Sequence, residues 1–406
     1  MTFKTLLESM KKIDLCENPV ENIQFTDEPK IPAYLTYPNK KAIDKYETTE
    51  VGGQGYALNK MVARVKSVAE FLERLCIYNP LLDVLSPPAK FEDNSEFVDP
   101  TTFHHTEMHD DKGAEILRSG NYRWVKGKDI FHDKNVLVPA QLVYLTDIFS
   151  NEMPIQRETT TNGAAFGLSE NNDSVERGLL ELVERDACMY SYLSERRLSR
   201  IIEFTEDIEE LLGYLNRYRL ETYVFDCATD LGIPTVIAIT IDKTGVGPAV
   251  NLGSSAKLNY KDAIKRSILE SIQCRNYARF MRKKDKESFP NETEVTSLEN
   301  RLYYWYPPER IQDLDFWLQD SQQIKFSEIS NKTATFANVI SEFKNKGFDI
   351  IVVDITLPEI AQAGFKCSKV MVPQLHPLYL DERSKVLYSD HYGLLDDGGL
   401  KPHPFA

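Results

Sequence analysis

The stretch Gly178-Leu-Leu-Glu-Leu-Val-Glu-Arg-Asp-Ala187 carries two glutamates among mostly apolar residues. It belongs to a longer run, from about Asp173 to Glu195, whose apolar residues recur at helical spacing, so we predict a long helix there. Glu181 and Glu184 are three residues apart and therefore lie on one face of that helix. Because the helix is apolar on most other sides, we predict that it is buried and that its carboxylates need cations.

The same pattern occurs twice more, in Ser67–Arg74 (SVAEFLER) and Ser267–Arg275 (SILESIQCR). Each copy has a small residue, a Glu three positions later, and a Glu or Gln three positions after that. A lone Glu-x-x-Glu pair is usually a solvated helix face, but the apolar surroundings here favour burial. Arg74, Arg185 and Arg275 neutralise only part of the charge. Carboxylates without Cys or His ligands indicate Mg²⁺ or Ca²⁺ for the rest.

The ligand set also favours a nucleotide. Phosphate oxygens usually complete the shell of Mg²⁺, so a pocket with several Glu and a few Arg side chains indicates a metal-bridged nucleotide. The sequence contains neither a Walker A motif nor a kinase Gly-rich loop, so the metals rather than such a loop are expected to hold the phosphates. No copy has the Glu-x-x-His pattern of a di-iron bundle.

Composition excludes several other classes of protein. The chain has 406 residues, 62 acidic and 48 basic, and a formal net charge of −14. That charge argues against duplex nucleic acid as a ligand. No apolar run approaches the roughly 20 residues of a membrane span, and the start of the chain does not read as a secretory signal. The six cysteines are scattered singly, which predicts neither a disulfide framework nor a zinc site and favours a cytoplasmic location.

Helices alternate with strands along the chain, which predicts an α/β or α+β fold in one large domain with mixed sheets. The aromatic cluster around Trp305 is predicted to pack a core. Residues 51–56 are expected to form a turn or loop. The predicted helices are 59–78, 173–195, 206–218, 261–283 and 335–345, and the predicted strands are 136–146, 222–226, 234–241, 249–254, 349–356 and 370–373.

Taken together, these segments resemble the YcaO-domain proteins over about residues 48–380. The first resembling motif combines Gly52–Gly55 with the Ser67 copy. The segments that carry the remaining resemblance are Thr161-Asn-Gly163 with Gly167 and the Gly178 copy, Gly253–Ala256 with Ala263 and the Ser267 copy, Val352–Pro358, and Lys369–Leu375 with His376-Pro377.

The resemblance implies an ATP-dependent enzyme that acts on peptide backbone amides. A nucleophile adds to the amide carbonyl, the resulting oxyanion takes the γ-phosphate of ATP, and phosphate leaves. The product is an azoline ring, from a Cys, Ser or Thr of a ribosomally made precursor peptide, or a thioamide, from a sulfide source. We expect azoline formation, because ring-forming members commonly end in a Pro-rich tail.

The resemblance also implies roles for particular residues. The implied Mg²⁺ ligands are Glu70, Glu73, Asp173, Glu181 and Glu184. The implied ATP-contacting residues are Ser67, Glu184, Arg185, Gln273 and Arg275.

The last residues of the sequence, Lys-Pro-His-Pro-Phe-Ala, resemble the family's Pro-rich ending with Ala406 in place of its final Pro. The resemblance implies that Pro402 and Pro404 stiffen this segment, and that the Ala406 carboxylate or His403 removes a proton in the active site. We therefore expect an N-terminal segment (1–47) of partner-binding or fold-completing role, a catalytic domain (48–390) and a tail (391–406) that reaches the active site.

Partners follow from the resemblance in the same way. No leader-binding domain is evident in the sequence, so a separate E1-like (ThiF-like) protein is expected to present the precursor peptide, and the enzyme is expected to be a homodimer. For a thioamide-forming enzyme, the expected partner is a TfuA-like protein. A third alternative is a nucleotide-binding subunit that catalyses nothing itself.

Overall fold

The structure is a computed structural model that describes residues 2–49, 51–94, 96–103, 111–155, 161–284, 288–319, 321–396 and 398–405. Its helices are α1 (Phe3–Lys11), α2 (Lys40–Tyr46), α3 (Lys60–Tyr78), α4 (Asp111–Ser119), α5 (Asp173–Leu193), α6 (Glu206–Asn216), α7 (Tyr260–Lys284), α8 (Leu298–Tyr304), α9 (Asp315–Leu318), α10 (Phe326–Ile329), α11 (Phe336–Lys346) and α12 (Pro358–Gln362).

The strands alternate with these helices and confirm the predicted α/β class. They are β1 (Val20–Glu21), β2 (Ala33–Thr36), β3 (Gly53–Tyr56), β4 (Ala89–Lys90), β5 (Asn121–Tyr122), β6 (Trp124–Asp129), β7 (Lys134–Pro139), β8 (Ala164–Leu168), β9 (Ser199–Ile202), β10 (Leu220–Asp226), β11 (Thr235–Asp242), β12 (Val250–Ala256), β13 (Gln323–Lys325), β14 (Ile351–Asp354), β15 (Phe365–Met371), β16 (Tyr388–Ser389) and β17 (Gly393–Leu394).

The chain divides into two compact units. The first comprises Met1–Ile23, Ile31–Leu182 and Lys346–Gln374, and the second comprises Gln24–Lys30, Val183–Asn345 and Leu375–Ala406. The boundary at Leu182 and Val183 falls inside α5, so this helix contributes residues to both units. No helix in the described part of the chain has the length and apolar composition that crossing a membrane requires.

The first unit contains two main antiparallel sheets. One has the order β1-β2-β3, and the other has the order β7-β6-β14-β15-β8. Helix α3 packs against β2 and β3, with Phe71, Leu72 and Leu75 fully buried in the unit's hydrophobic core. That packing fixes which face of α3 is left for its acidic residues.

The second unit is built on one sheet with the order β12-β11-β10-β9-β13. Its neighbouring strands are antiparallel except for β13 and β9, which run parallel. Helix α7 packs on β11 and β12, and the core includes Trp305 and Trp317, as predicted for the Trp305 cluster. Helix α7 therefore corresponds to α3 of the first unit, because each helix carries a motif copy and packs against strands of a sheet.

Glycines explain why the small residues of the motifs lie where they do. A Cβ on Gly53 would stand 2.1 Å from the carbonyl oxygen of Ser67, and a Cβ on Gly253 would stand 2.2 Å from that of Ser267. Strand and helix therefore touch through their backbones in both places, which only Gly permits. The distance in sequence from Gly53 to Glu70 equals that from Gly253 to Glu270, so both glutamates follow the same kind of contact.

The predicted helices are confirmed with small shifts at their ends. Two other predictions are wrong. Residues 51–56 do not form a turn, because Gly53–Tyr56 pairs with β2 as strand β3. The strand predicted over 136–146 ends at Pro139, and a 3₁₀ turn follows at Ala140–Leu142. A proline has no N–H with which to extend the pairing, so the apolar run continues as a turn into the core.

Candidate functional site

The first unit holds three of the predicted acidic side chains. Helix α3 places Glu70 and Glu73 one turn apart, and α5 supplies Glu181. Glu70 accepts the backbone N–H of Gln54 at 3.2 Å and pairs with Arg74 at 2.6 Å. A backbone amide and a guanidinium on the next turn of its own helix thus orient the Glu70 carboxylate.

In the same unit, Glu181 accepts the backbone N–H of Gly163 at 2.9 Å. A positive φ of 79° at Gly163 aims this amide, and a Cβ there would stand 2.3 Å from the carbonyl oxygen of Val370. A Cβ on Gly178 would in turn stand 2.5 Å from the carbonyl oxygen of Gly163. The small residues of this copy therefore set the approach of loop and helix that orients Glu181.

Electrostatic repulsion is concentrated at Glu73. Burial raises the pKa of Glu73 well above its ordinary value, and the charges of Glu181 and then Glu70 raise it further, against a smaller opposing effect of Arg74. Two like-charged neighbours mean that the folded chain disfavours three ionised carboxylates here. A bound cation would remove that penalty.

Lys369, a buried residue of β15 in this unit, was not among the predicted site residues. Its Nζ donates to the carbonyl oxygen of Asn162 at 2.8 Å. Burial lowers the pKa of Lys369 to about 8, although the charges of Glu181 and Glu73 act in the opposite direction. The signal in the sequence was a lysine directly before the predicted strand 370–373; the residue lies at a buried position of β15, where lysine is rare unless it is paired.

The second unit holds a separate group of charged side chains around Glu184. This carboxylate accepts the Ser254 hydroxyl at 2.7 Å and the Ala256 N–H at 3.2 Å, and Arg185 lies 3.5 Å away. Ser254 and Ala256 belong to the predicted Gly253–Ala256 motif. The motif therefore forms the end of strand β12, and this strand end orients Glu184.

Glu270 belongs to this second group, although the sequence pattern alone assigned it no role in binding. Burial and the charge of Glu184 raise the pKa of Glu270 to about 7, against the opposing charges of Arg266, Arg185 and Lys257. Glu270 is thus the counterpart in α7 of Glu70 in α3. Its place in the third copy of the motif was the available signal.

These carboxylates fit a hard divalent cation. Among the residues that the structure describes, no three His, Cys, Asp or Glu side chains form a preassembled metal cluster. Mg²⁺ does not require one, because it is usually bound by one or two carboxylates together with water and phosphate oxygens. All the candidate ligand atoms are oxygens. The pKa values of Glu73 and Glu270 are raised by burial and by neighbouring carboxylates, and a bound cation would offset both effects.

Arg275 is placed differently from expectation. Its guanidinium is buried and pairs with Glu28 at 2.9 Å and with Asp242 at 2.8 Å, and it also donates to the carbonyl oxygen of Pro248. Arg279 also pairs with Glu28. We predicted that Arg275 would neutralise part of the charge of the motif glutamates. That prediction is wrong, because its guanidinium pairs with Glu28 and Asp242 instead. Its predicted phosphate contact remains a prediction.

The other predicted ligands lie as follows. Ser67 is buried, and its hydroxyl donates to the carbonyl oxygen of Arg64 and accepts from the Thr36 hydroxyl, which gives it a packing role. Gln273 lies half-buried one turn beyond Glu270. Asp173 begins α5, about 12 Å along the helix axis from Glu181 at 1.5 Å per residue. The structure therefore does not bring Asp173 beside Glu181.

The tail is well packed rather than frayed. Pro402, His403, Pro404 and Phe405 are all buried within the second unit. Burial, followed by the charge of Arg301, lowers the pKa of His403 well below its ordinary value, so the ring is neutral. Ala406, whose carboxylate was predicted to act as a base, lies outside the described residues.

Comparison with protein families identifies the class to which this arrangement belongs. The profile of the family described as "YcaO cyclodehydratase, ATP- and Mg²⁺-binding" matches residues 54–376, well over half of the chain. The chain therefore belongs to the YcaO family, and ATP and Mg²⁺ are the cofactors for which that family is described. No curated protein sequence matches this chain.

Solved structures share the fold. YcaO from Methanopyrus kandleri, bound with AMPPCP and Mg²⁺, is 20% identical with a TM-score of 0.67, over 95% of this chain and 94% of that one. A chain of the E. coli microcin synthetase McbBCD complex is 15% identical with a TM-score of 0.69, over 96% of each chain. A heterocyclase in complex with substrate and cofactor is 18% identical with a TM-score of 0.69 over 91% of this chain, which spans only 52% of that protein.

Proposed function

We propose that this protein uses ATP and Mg²⁺ to activate a backbone amide of a ribosomally made precursor peptide, forming azoline rings from Cys, Ser or Thr residues. The observation that carries the proposal is the mutual repulsion of the carboxylates, in which Glu181 and Glu70 raise the pKa of Glu73. In a family described as ATP- and Mg²⁺-binding, such side chains are the natural ligands of a nucleotide-bound cation.

Glu70, Glu73 and Glu181 would hold Mg²⁺ in the first unit. Backbone amides already aim two of these carboxylates, so little side-chain entropy remains to be lost when a cation binds. In the second unit Glu184 would do the same, held by Ser254. Bound ATP would supply the phosphoryl group that turns the amide oxygen, a poor leaving group, into phosphate.

Arg185 is the proposed phosphate contact. Its side chain is largely buried beside Glu184, and its charge also acts on Glu270. A guanidinium in that position would neutralise phosphate oxygens while the carboxylates hold the cation. The proposed phosphate contact of Arg275 would require it to leave its ion pairs with Glu28 and Asp242, so Arg185 is favoured.

The proposed partner is a separate E1-like protein that presents the precursor peptide. Support comes from two fold neighbours, a heterocyclase in complex with substrate and a microcin synthetase complex with pro-MccB17 bound. This chain spans 52% of the length of that heterocyclase. The proposed homodimer stays a prediction.

Mass spectrometry of the product tests the proposed reaction. The protein, its partner, a precursor peptide, ATP and Mg²⁺ are incubated with and without sulfide. Cyclodehydration predicts a loss of about 18 Da per ring without sulfide, whereas thioamide formation would add about 16 Da only with sulfide. An unchanged peptide mass in every arm, with ATP bound, would contradict the enzyme proposal and favour a non-catalytic nucleotide-binding subunit.

A further inference from the structure

Lys369 is a buried cation beside the acidic side chains of the first unit. It lies in β15 opposite Ala164 of β8, and it is only 4% exposed. Burial lowers its pKa to about 8, and the charges of Glu181 and then Glu73 act in the opposite direction, so the ammonium form predominates at pH 7. One positive charge is therefore built into the part of the unit where the proposed function places Mg²⁺.

A single peptide group joins Lys369 to Glu181. The carbonyl oxygen of Asn162 accepts a hydrogen bond from Lys369 Nζ at 2.8 Å. The N–H of the same peptide group belongs to Gly163 and donates to Glu181 at 2.9 Å. The C=O and the N–H of a trans peptide point in opposite directions, so the ammonium and the carboxylate bind opposite ends of one peptide dipole. Hydrogen bonds that are linked in this way strengthen one another.

The turn that carries this peptide group is held in one orientation. The N–H of Ala164 donates to the carbonyl oxygen of Thr161 at 2.8 Å, and Gly163 has the positive φ, 79°, that a type II turn requires at its third residue. The N–H of Val370 donates to the carbonyl oxygen of Gly163 at 2.7 Å. Because the turn is bonded at each of these points, the ammonium is fixed relative to Glu181.

A fixed ammonium has opposite effects on a bare cation and on a cation that carries a nucleotide. Free Mg²⁺ is repelled by the ammonium, since both are positive. The complex of Mg²⁺ with a nucleoside triphosphate is negative overall, because the triphosphate brings more charge than the ion neutralises, and the ammonium attracts it. Burial makes both interactions stronger than they would be in water, since the local dielectric constant is lower.

We propose that Lys369 is a specificity-determining residue, which lets the acidic side chains of the first unit take up Mg²⁺ together with a nucleotide and not as the bare ion. The inference rests on the proposed function, because it requires Glu73 and Glu181 to be ligands of the nucleotide-bound cation. It goes further by giving a residue outside the three glutamate motifs the choice between two forms of that cation. A lysine that only supported the turn would affect both forms alike.

Binding of Mn²⁺ alone, and of AMPPCP with Mg²⁺, tests the proposal in the full chain at pH 7. Mn²⁺ takes the same oxygen ligands as Mg²⁺, and its free concentration is measured by electron paramagnetic resonance. Lys369→Met keeps a side chain of similar length and removes the charge. In this variant we expect Mn²⁺ alone to bind at least tenfold tighter and AMPPCP with Mg²⁺ to bind at least fivefold weaker. Loss of the hydrogen bond to Asn162 alone would weaken both.

Lys366→Met is the matched control. Lys366 lies on the same strand, pairs with Asp354 at 3.4 Å and has a side chain that is 33% exposed. Its replacement removes one positive charge, as Lys369→Met does, and should change neither affinity. Adding Glu181→Gln to Lys369→Met should abolish the gain in Mn²⁺ affinity, because the newly admitted ion would lose a ligand.

Weaker binding of both ligands in Lys369→Met, or an unchanged affinity for Mn²⁺, would overturn the proposal. Mn²⁺ that binds the unmodified protein as tightly without nucleotide as with AMPPCP would also overturn it, and this measurement needs no variant. Lys369→Gln is a second variant that is neutral but keeps an N–H donor, and the same opposite changes are expected. If the unmodified protein binds no AMPPCP with Mg²⁺, the proposed function fails as well; if it binds but both affinities change alike in Lys369→Met, only this inference fails.

Discussion

Glu184 shows how one residue can combine a structural and a proposed chemical role. Its carboxylate accepts hydrogen bonds from Ser254 and Ala256 and lies beside Arg185, and its charge contributes to the raised pKa of Glu270. The hydrogen bonds fix the carboxylate in a largely buried place. That fixed negative charge is what a cation bound to nucleotide would meet.

Glu184→Gln is expected to lower ATP-dependent product formation roughly 100-fold or more, because a neutral amide cannot replace a carboxylate ligand. Product yield in the reconstituted reaction is the measurement. The matched control is Glu210→Gln on the exposed face of α6, which should leave the yield unchanged. An unchanged yield in a Glu184→Gln protein that melts cooperatively would contradict its assignment as a ligand.

The limits of sequence-based prediction are clearest at Arg275 and Lys369. The ion pairs of Arg275 with Glu28 and Asp242 join residues far apart in the chain, and local spacing carries no information about them. Lys369 was overlooked because its meaning depends on Glu181 and another distant carboxylate. The acidic pattern itself could be predicted, because three-residue spacing is a property of one helix turn.

His391 provides a pH-dependent contact in the second unit. Its two ring nitrogens each lie 3.0 Å from a carboxylate, Asp186 on one side and Asp230 on the other. Tyr392, which stacks on the ring, donates its hydroxyl to Asp186, and Tyr190 stacks on Tyr392. Burial lowers the pKa of His391, but the hydrogen bond and charge of Asp186, together with Asp230, outweigh it, so the pKa is raised.

Because folding raises this pKa, the protonated imidazole favours the folded chain. The stabilisation is complete below the pKa of an unfolded histidine, about 6.5, and is lost as the pH rises through the higher folded value. We expect His391→Gln to flatten the fall of the melting temperature as the pH rises above about 6.5. His132→Gln, at an exposed histidine, is the control. If the melting temperature of His391→Gln falls with pH as steeply as that of the unmodified protein, the proposed pairing of His391 with Asp186 and Asp230 is contradicted.

At the scale of elements, helices were predicted better than strands. The N-cap of α3 by Asn59, which accepts the N–H of Met61 at 2.8 Å, is a local signal that the sequence carries. Strand β3 was mistaken for a turn, because its glycines resemble turn glycines. Gly53 is needed for another reason, since helix α3 leaves no room for a Cβ. Such a contact between distant elements has no local signature.

Gly253→Ala is expected to destabilise the protein by about 3 kcal/mol, because the new Cβ would stand 2.2 Å from the backbone of Ser267 and overpack the interface of β12 and α7. Chemical denaturation measures the free energy of unfolding. Gly213→Ala in α6, where nothing lies within 4 Å of the new Cβ, is the control and should stabilise by up to about 1 kcal/mol. Equal effects of the two substitutions would contradict the close approach.

At the scale of the whole molecule, the motifs in the sequence were sufficient to indicate the family. The family profile matches residues 54–376, close to the 48–380 over which the sequence shows the resemblance. The division into two compact units was not predicted, because the boundary falls inside the continuous helix α5. The spacing of apolar residues along a helix does not indicate the position at which the helix passes from one compact unit to the other. The expected boundaries at residues 47 and 390 stay predictions.

We propose that carboxylates from separate motif copies hold ATP through Mg²⁺. Calorimetric titration of the full chain with AMPPCP tests it most directly, with and without Mg²⁺, alongside Glu73→Gln and the exposed control Glu210→Gln. We expect AMPPCP binding to require Mg²⁺, to be at least tenfold weaker in Glu73→Gln, and to be unchanged in Glu210→Gln. Binding of equal strength in the absence of Mg²⁺, or in Glu73→Gln, would contradict it.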